Sequence, residues 1–146
     1  MRLTSFTDYG LRMLMRLAGE PGRSFTTDAM AREFAISRHH LHKVVRELSR
    51  AGYVATQRGA GGGFRLAMPP EALTIGAIVR RLEARQPLVE CFRADGGACA
   101  LTPGCLLRRR LATAREAFLA ELDRTTLAEC RYPAARPSPA AGLIAP

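Results

Sequence analysis

Apolar positions recur at helical spacing through the first half of the chain, where they predict three helices. The first covers residues 4–19, in which apolar side chains return every three or four positions. A second, shorter helix is predicted over residues 26–34, with a threonine as its cap. A third begins at Ser37, a good capping residue, and runs to about residue 51, where Gly52 provides a left-handed stop.

The third helix is predicted to have two faces of opposite character. Its apolar side chains follow the i, i+3, i+4, i+7 spacing of a surface that packs inward: Leu41, Val44, Val45 and Leu48. The opposite side collects the basic and imidazole side chains: His39, His42, Lys43, Arg46 and Arg50. We therefore expect this helix to pack with one face and to present positive charge with the other.

Two short strands are predicted next, over residues 53–56 and 64–67, joined by a glycine-rich tip with Arg58 at its base. Three helices followed by a hairpin with a basic tip are typical of a winged helix-turn-helix, so residues 1–67 are interpreted as a DNA-binding domain. The glycine tip lacks the Lys-Ser/Thr of a phosphate-binding P-loop, which argues against nucleotide binding.

Residues 68–130 are predicted to hold a linker helix, an irregular cysteine-bearing loop and a long helix. Thr74 can cap the linker helix, which would run to about Arg85, and the long helix would extend from Leu106 to about Asp123. The long helix carries an apolar stripe with few other elements to cover it: Leu107, Leu111, Ala114, Phe118 and Leu122. A partner chain could cover this stripe, so a mainly α fold with a C-terminal dimerisation helix is expected. The Pro/Ala-rich residues 131–146 are predicted to be a disordered tail.

The charge of the chain favours a polyanionic partner. The 146 residues carry 22 Lys and Arg against 13 Asp and Glu, a net charge of +9. Of this, +5 falls between Ser37 and Arg65, on the third helix and the hairpin. Nucleic acid is the first expectation and an anionic membrane surface the second. No apolar run approaches the ~18–20 residues of a membrane span, and the N-terminal residues lack the apolar stretch of a signal peptide, so a cytoplasmic protein is expected.

In a winged helix-turn-helix, the start of the third helix faces the base edges of the major groove. Here those residues are Ser37, Arg38, His39 and His40, of which Arg38 can read guanine with two hydrogen bonds. Further along the helix we expect contacts to phosphate from Lys43, Arg46 and Arg50. Arg58, at the base of the wing, can enter a narrow minor groove.

Three cysteines of the second half share one loop. Cys91, Cys99 and Cys105 follow the spacing C-x7-C-x5-C. A structural zinc site favours a tight C-x2-C pair and a fourth soft ligand, whereas an iron–sulfur cluster tolerates wider spacing. The spacing leaves open an iron–sulfur cluster, zinc, a redox thiol switch, or buried cysteines without a ligand. Cys130 stands apart and is interpreted as a spare thiol.

Several segments together resemble the NsrR family of nitric-oxide-sensitive repressors, within the wider iron–sulfur winged-helix regulators that include IscR. The matching segments are residues 3–12, 37–40, 48–54, 58–63, 99–105 and 118–123. The resemblance implies a homodimeric repressor that binds a palindromic operator in double-stranded DNA, controls nitrosative-stress genes and senses nitric oxide through a [4Fe-4S] or [2Fe-2S] cluster. It also implies the cluster ligands, which are Cys91, Cys99, Cys105 and Asp8 of the partner subunit, with Arg12 orienting that aspartate.

Other interpretations accompany this resemblance. Asp8 and Arg12 can simply form an i, i+4 salt bridge. The x7 gap is longer than in many relatives, and Arg108 stands where IscR-like regulators carry a histidine ligand, which argues against IscR-type ligation. The same cysteines could report iron, oxidant or metal status through a thiol switch or zinc. An enzyme is not expected, because the loop offers only Glu90 and Asp95 as acid–base groups and the chain has no cofactor fingerprint.

Overall fold

A computed structural model of the chain describes residues 2–59, 62–102 and 104–132. These residues form five α-helices and a two-stranded antiparallel sheet, with 3-10 turns at Pro70–Ala72 and Glu90–Phe92. In chain order the elements are α1 (Ser5–Gly19), α2 (Thr27–Phe34), α3 (Arg38–Arg50), β1 (Val54–Gln57), β2 (Gly63–Leu66), α4 (Ile75–Leu82) and α5 (Leu106–Asp123). This confirms the mainly α winged helix-turn-helix predicted from the sequence.

Threonine side chains cap three of the helices. The hydroxyl oxygens of Thr4, Thr26 and Thr74 accept hydrogen bonds from amides three residues later, at 3.1–3.2 Å. Ser37 occupies the cap position of α3, but its side chain makes no capping hydrogen bond. The predicted serine cap is therefore correct in position and wrong in its hydrogen bond. Gly52 has a φ of +76°, which confirms the predicted left-handed stop.

Two element boundaries differ from the predicted ones. Both strands differ by one residue at each end. Helix α4 stops at Leu82 rather than near Arg85, since Glu83 leaves the helical conformation and binds the start of α1. Its Oε1 accepts hydrogen bonds from the amide and the hydroxyl of Thr4, both at 2.8 Å.

The core lies between α1, α3, α4 and the sheet. The predicted inward face of α3 is confirmed, because all four of its apolar side chains are buried: Leu41, Val44, Val45 and Leu48. Helices α1 and α4 approach closely at Gly10, where a Cβ atom would lie 2.7 Å from Leu82 Cδ1. The wing is fixed to the turn before α2 by two backbone hydrogen bonds between Phe25 and Phe64, at 2.8 and 2.9 Å.

Helix α5 packs on the rest of the chain through a small part of its surface. Leu119 is its only buried residue, and α5 lies mainly against α4. The predicted apolar stripe is largely uncovered within the chain, with Leu107 64% exposed and Phe118 37% exposed. Beyond α5 the chain returns to α1, where the amide of Tyr132 donates to the carbonyl of Met15 at 2.9 Å. From residue 133 onward the predicted tail lies outside the described residues, and no described helix is long and apolar enough to cross a membrane.

Candidate nucleic-acid interface and cysteine loop

The predicted basic residues lie together on the exposed face of α3. An open groove of about 530 Å³ runs along this face. Five of the residues singled out in the sequence line it: His39, His42, Lys43, Arg46 and Arg50. Ser49 and Thr56 also line the groove and were not singled out, and Val45, which was assigned to the inward face, contributes to the lining as well. Ser49 could have been found from its spacing, because it stands seven residues after His42 and three after Arg46, on the same side of the helix.

The first residues of α3 are exposed and linked to neighbouring elements. Ser37, Arg38, His39 and His40 are all exposed to solvent. Arg38 Nε lies 2.9 Å from Asp28 Oδ1 on α2. The ring of His40 lies beside Tyr9 of α1, with 6.3 Å between the centroids. The end of α3 that was predicted to face bases is therefore accessible.

The single acid of this basic stretch, Glu47, forms an ion pair with a residue of α4. Glu47 Oε1 lies 3.0 Å from Arg81 NH2 on α4. Because this pair neutralises Glu47, the positive charge of the exposed face of α3 is not offset by its own carboxylate.

Arg16 departs from the sequence prediction. Asp8, Arg12 and Arg16 recur at steps of four, which predicts one polar stripe along α1, but Arg16 is only 3% exposed. Its guanidinium lies 2.8 Å from Glu20, 2.7 Å from Glu33 on α2 and 4.6 Å from the centre of the Phe25 ring. Burial acts to lower the pKa of Arg16, but the hydrogen bonds to both glutamates outweigh it and raise the pKa. A stripe at steps of four cannot reveal this burial, because the residues that cover Arg16 come from α2 and the adjoining turn.

Arg58 is exposed directly after β1, at the base of the wing. Gly59 has a φ of +101°, and the amide of Gly62 donates to its carbonyl at 2.8 Å. Ala60 and Gly61 lie outside the described residues.

The cysteine loop connects α4 to α5. Cys91 is buried in the 3-10 turn, and Cys99 and Cys105 are half-buried. Cys105 caps α5, where its Sγ accepts a hydrogen bond from the amide of Arg108 at 3.4 Å. The Nε of Arg108 donates to the carbonyl of Cys91, also at 3.4 Å. All four cysteines of the chain are free thiols, with Cys130 packed against the core.

The loop contributes three cysteines that form no disulfide, and thiolates are the ligands that hold iron–sulfur clusters in proteins. The described residues contain no group of three or more His, Cys, Asp or Glu side chains arranged to hold a metal ion. The described part of the loop therefore supplies thiol ligands, but these do not form a complete metal site within one chain. Glu90 is already engaged, since its Oε1 accepts a hydrogen bond from the amide of Ala98 at 3.1 Å.

Asp8 forms the i, i+4 salt bridge that the sequence allowed. Both carboxylate oxygens face Arg12, at 3.0 Å from Nε and 2.8 Å from NH2. The Asp8 side chain remains 45% exposed and is therefore open to a second chain. Its predicted role as a partner ligand stays a prediction.

Helix α4 is tied to α5 by one strong ion pair. Arg80 binds Asp123 with two hydrogen bonds of 2.6 Å, and Thr74 donates a third at 3.2 Å. The hydrogen bond from Arg80 lowers the pKa of Asp123, and the same bond raises the pKa of Arg80. With Arg81 on Glu47 and Glu83 on Thr4, α4 has polar links to α1, α3 and α5.

Comparison with known protein families identifies the class of this chain. The sequence model of the Rrf2 family, which is described as an iron-dependent transcriptional regulator, matches residues 3–131. The chain belongs to the Rrf2 family. Two relatives named HTH-type transcriptional regulator NsrR are similar over most of their length. The one from Geobacillus kaustophilus (strain HTA426) is 49% identical over 88% of each chain, and the one from Bacillus subtilis (strain 168) is 46% identical over 87% of this chain and 88% of its own.

Solved structures agree with this assignment. CymR, the global cysteine regulator of B. subtilis, is 31% identical with a TM-score of 0.70, covering 88% of this chain and 95% of its own. The fold is also shared by T. potens IscR, at 24% identity and a TM-score of 0.68, covering 88% of this chain and 85% of its own. This Rrf2 chain is therefore a DNA-binding transcriptional regulator, and its relatives are regulators rather than enzymes.

Proposed function

We propose that this Rrf2 regulator is a homodimeric repressor that binds a palindromic operator and senses nitric oxide through an iron–sulfur cluster, thereby controlling nitrosative-stress genes. The observation that carries the proposal is the position of the three loop thiols. They lie between α4, which is ion-paired to α3, and α5, whose apolar face is uncovered. The two relatives named NsrR support the same proposal.

The DNA contacts follow from the exposed face of α3. This helix enters the major groove, with Ser37, Arg38, His39 and His40 toward base edges. Lys43, Arg46 and Arg50 bind phosphate, which gives affinity and register but little specificity. Arg58 reaches the minor groove from the base of the wing.

The exposed apolar side chains of α5 support dimerisation. Leu106 and Leu107 are 61% and 64% exposed, and two adjacent apolar side chains this exposed are unfavourable in water. A second copy of α5 can bury them in a twofold interface. Two α3 helices would then reach successive major grooves, about 34 Å apart, which calls for a palindromic site.

Cys91, Cys99 and Cys105 would hold the cluster, with Asp8 of the partner subunit as the oxygen ligand. The cluster would be of the [4Fe-4S] or the [2Fe-2S] type. When bound, the group would supply an iron with one weakly held, exchangeable ligand at which nitric oxide can bind. Arg12 holds the Asp8 carboxylate in one orientation through two contacts.

Helix α4 provides the route from the loop to the DNA-binding face. The loop begins where Glu83 binds Thr4 of α1, and Arg81 binds Glu47 of α3 two residues earlier. A shift of the loop therefore acts on the orientation of α1 and α3. A hundredfold change in DNA affinity needs only about 2.7 kcal/mol of differential binding.

Cysteine variants test this function. Cys91→Ser, Cys99→Ser and Cys105→Ser should each lower the iron and sulfide content of anaerobically isolated protein and abolish the nitric oxide response of DNA binding. Cys130→Ser is the matched control and should change neither. Full iron content in all three loop variants would contradict the ligand assignment. Stoichiometric zinc, or DNA binding that follows a reversible disulfide without iron, would replace this proposal by the zinc or thiol-switch alternative.

A further inference from the structure

We infer that Asp28 of α2 is a specificity-determining positioning residue, whose carboxylate orients Arg38 for reading a guanine. This rests on the proposed function, in which Arg38 faces base edges. Asp28 itself touches no base in this arrangement and acts through Arg38.

The geometry of the pair favours this role. Asp28 lies in the first turn of α2, and Arg38 is the first residue of α3, so the contact bridges the two helices of the helix-turn-helix motif. Asp28 Oδ1 binds Arg38 Nε at 2.9 Å. The same Nε lies 3.5 Å from His42 Nε2, one turn along α3. A guanidinium held at Nε can still present its two terminal nitrogens as a fork, which matches the N7 and O6 acceptors of guanine.

The pair has little value as a contribution to folding stability. The side chains are 65% and 49% exposed, and exposed ion pairs contribute little in water. The pair matters more for DNA binding, because an unrestrained Arg38 must lose rotamer freedom when it binds a base. Restraining Arg38 before binding reduces that loss at one contact.

An acid at this place has a cost for DNA affinity. A carboxylate beside the base-reading end of α3 is repelled by phosphate unless a cation neutralises it. Arg38 neutralises Asp28 in the same way that Arg81 neutralises Glu47. Asp28 is therefore expected to improve discrimination between sequences while adding nothing to affinity for random DNA.

The test uses duplexes selected by the full-length protein from a random-sequence pool. Each selected dG is then replaced by 7-deaza-dG, which removes the N7 acceptor. For the wild-type chain, one replacement in each half-site should weaken binding by roughly 5–100-fold. Arg38→Ala should abolish this penalty. Asp28→Asn should reduce it at least about threefold, with equal or tighter binding to random duplex, and Asp28→Glu should restore part of it.

The control is Glu71→Gln, which removes one negative charge from an exposed side chain near Arg131 and should leave the penalty unchanged. Circular dichroism melting verifies that the variants fold. A full penalty in Asp28→Asn together with its loss in Arg38→Ala overturns the inference and leaves the proposed function standing. A larger penalty in Asp28→Asn also overturns it, because the carboxylate would then compete with the base. A full penalty in Arg38→Ala, or a pool without any preferred sequence, removes the base-reading role and the inference with it.

Discussion

Arg81 of α4 and Glu47 of α3 are joined by an ion pair of 3.0 Å that links the helix preceding the cysteine loop to the helix that carries the basic face. Glu47 stands one turn after Lys43, but neither member of the pair lines the groove that Lys43 and Arg46 line. It is the most direct polar connection in the described chain between the proposed sensor and the proposed DNA interface.

Breaking this ion pair should weaken signalling more than folding. In Glu47→Gln and Arg81→Gln, the ratio of operator affinities before and after nitric oxide should fall severalfold, while the free energy of unfolding changes by about 1 kcal/mol or less. The ratio is the readout, because Glu47→Gln raises and Arg81→Gln lowers the DNA affinity of both states through the change in charge. Arg85→Gln, an exposed change just beyond α4, is the control. An unchanged ratio in both variants would exclude this route.

The phosphate contacts should appear in the salt dependence of binding. Lys43→Ala, Arg46→Ala and Arg50→Ala should each reduce the slope of log K against log salt by about one, because one fewer counterion is released. Sequence preference should stay the same, since phosphate contacts carry little base information. Titrations by fluorescence anisotropy at several salt concentrations measure the slope, with the distant Arg124→Ala as control. A wild-type slope in all three variants would show that these residues do not bind phosphate.

The ion pair between Arg80 and Asp123 should make stability depend on acid pH. The pKa of Asp123 lies below its usual value of about 4, so its stabilising effect is fully present above pH 4 and is lost as the pH falls through the lowered pKa. Asp123→Asn should therefore lower Tm at pH 7, and the difference from wild type should shrink below about pH 4. Glu121→Gln, an exposed change two residues earlier in α5, should show neither effect. A constant difference across this pH range would contradict the assignment.

The buried Arg16 should be essential for stability. Arg16→Met leaves Glu20 and Glu33 without their shared cation, and we expect a loss of about 2–4 kcal/mol in the free energy of unfolding. Arg23→Met is the matched control, because Arg23 also lies over the Phe25 ring, at 4.8 Å, but is 57% exposed. Urea denaturation measures both, and equal, small losses would show that burial of Arg16 carries no energetic weight.

Local patterns predicted most of the fold and less of the site. Periodicity and capping residues placed all five helices, and the bounds of α5 agree to the residue. The end of α4 and the burial of Arg16 were missed because each depends on a residue distant in sequence, Thr4 and Glu33 respectively. The basic face of α3 followed from helical spacing, but the pairing of Asp28 with Arg38 did not, since it depends on the angle between two helices. The wide cysteine spacing indicated a loop without fixing its conformation.

The most direct test of the central claim is one anaerobic titration of the wild-type protein. Iron and acid-labile sulfide are counted, and the visible absorption spectrum and the affinity for a selected operator are followed together as nitric oxide is added. We predict a coloured protein whose visible bands bleach in parallel with a drop of about a hundredfold or more in DNA affinity, equivalent to about 2.7 kcal/mol. A protein that contains no iron under these conditions, or one whose operator affinity is unchanged when the bands bleach, would contradict the claim.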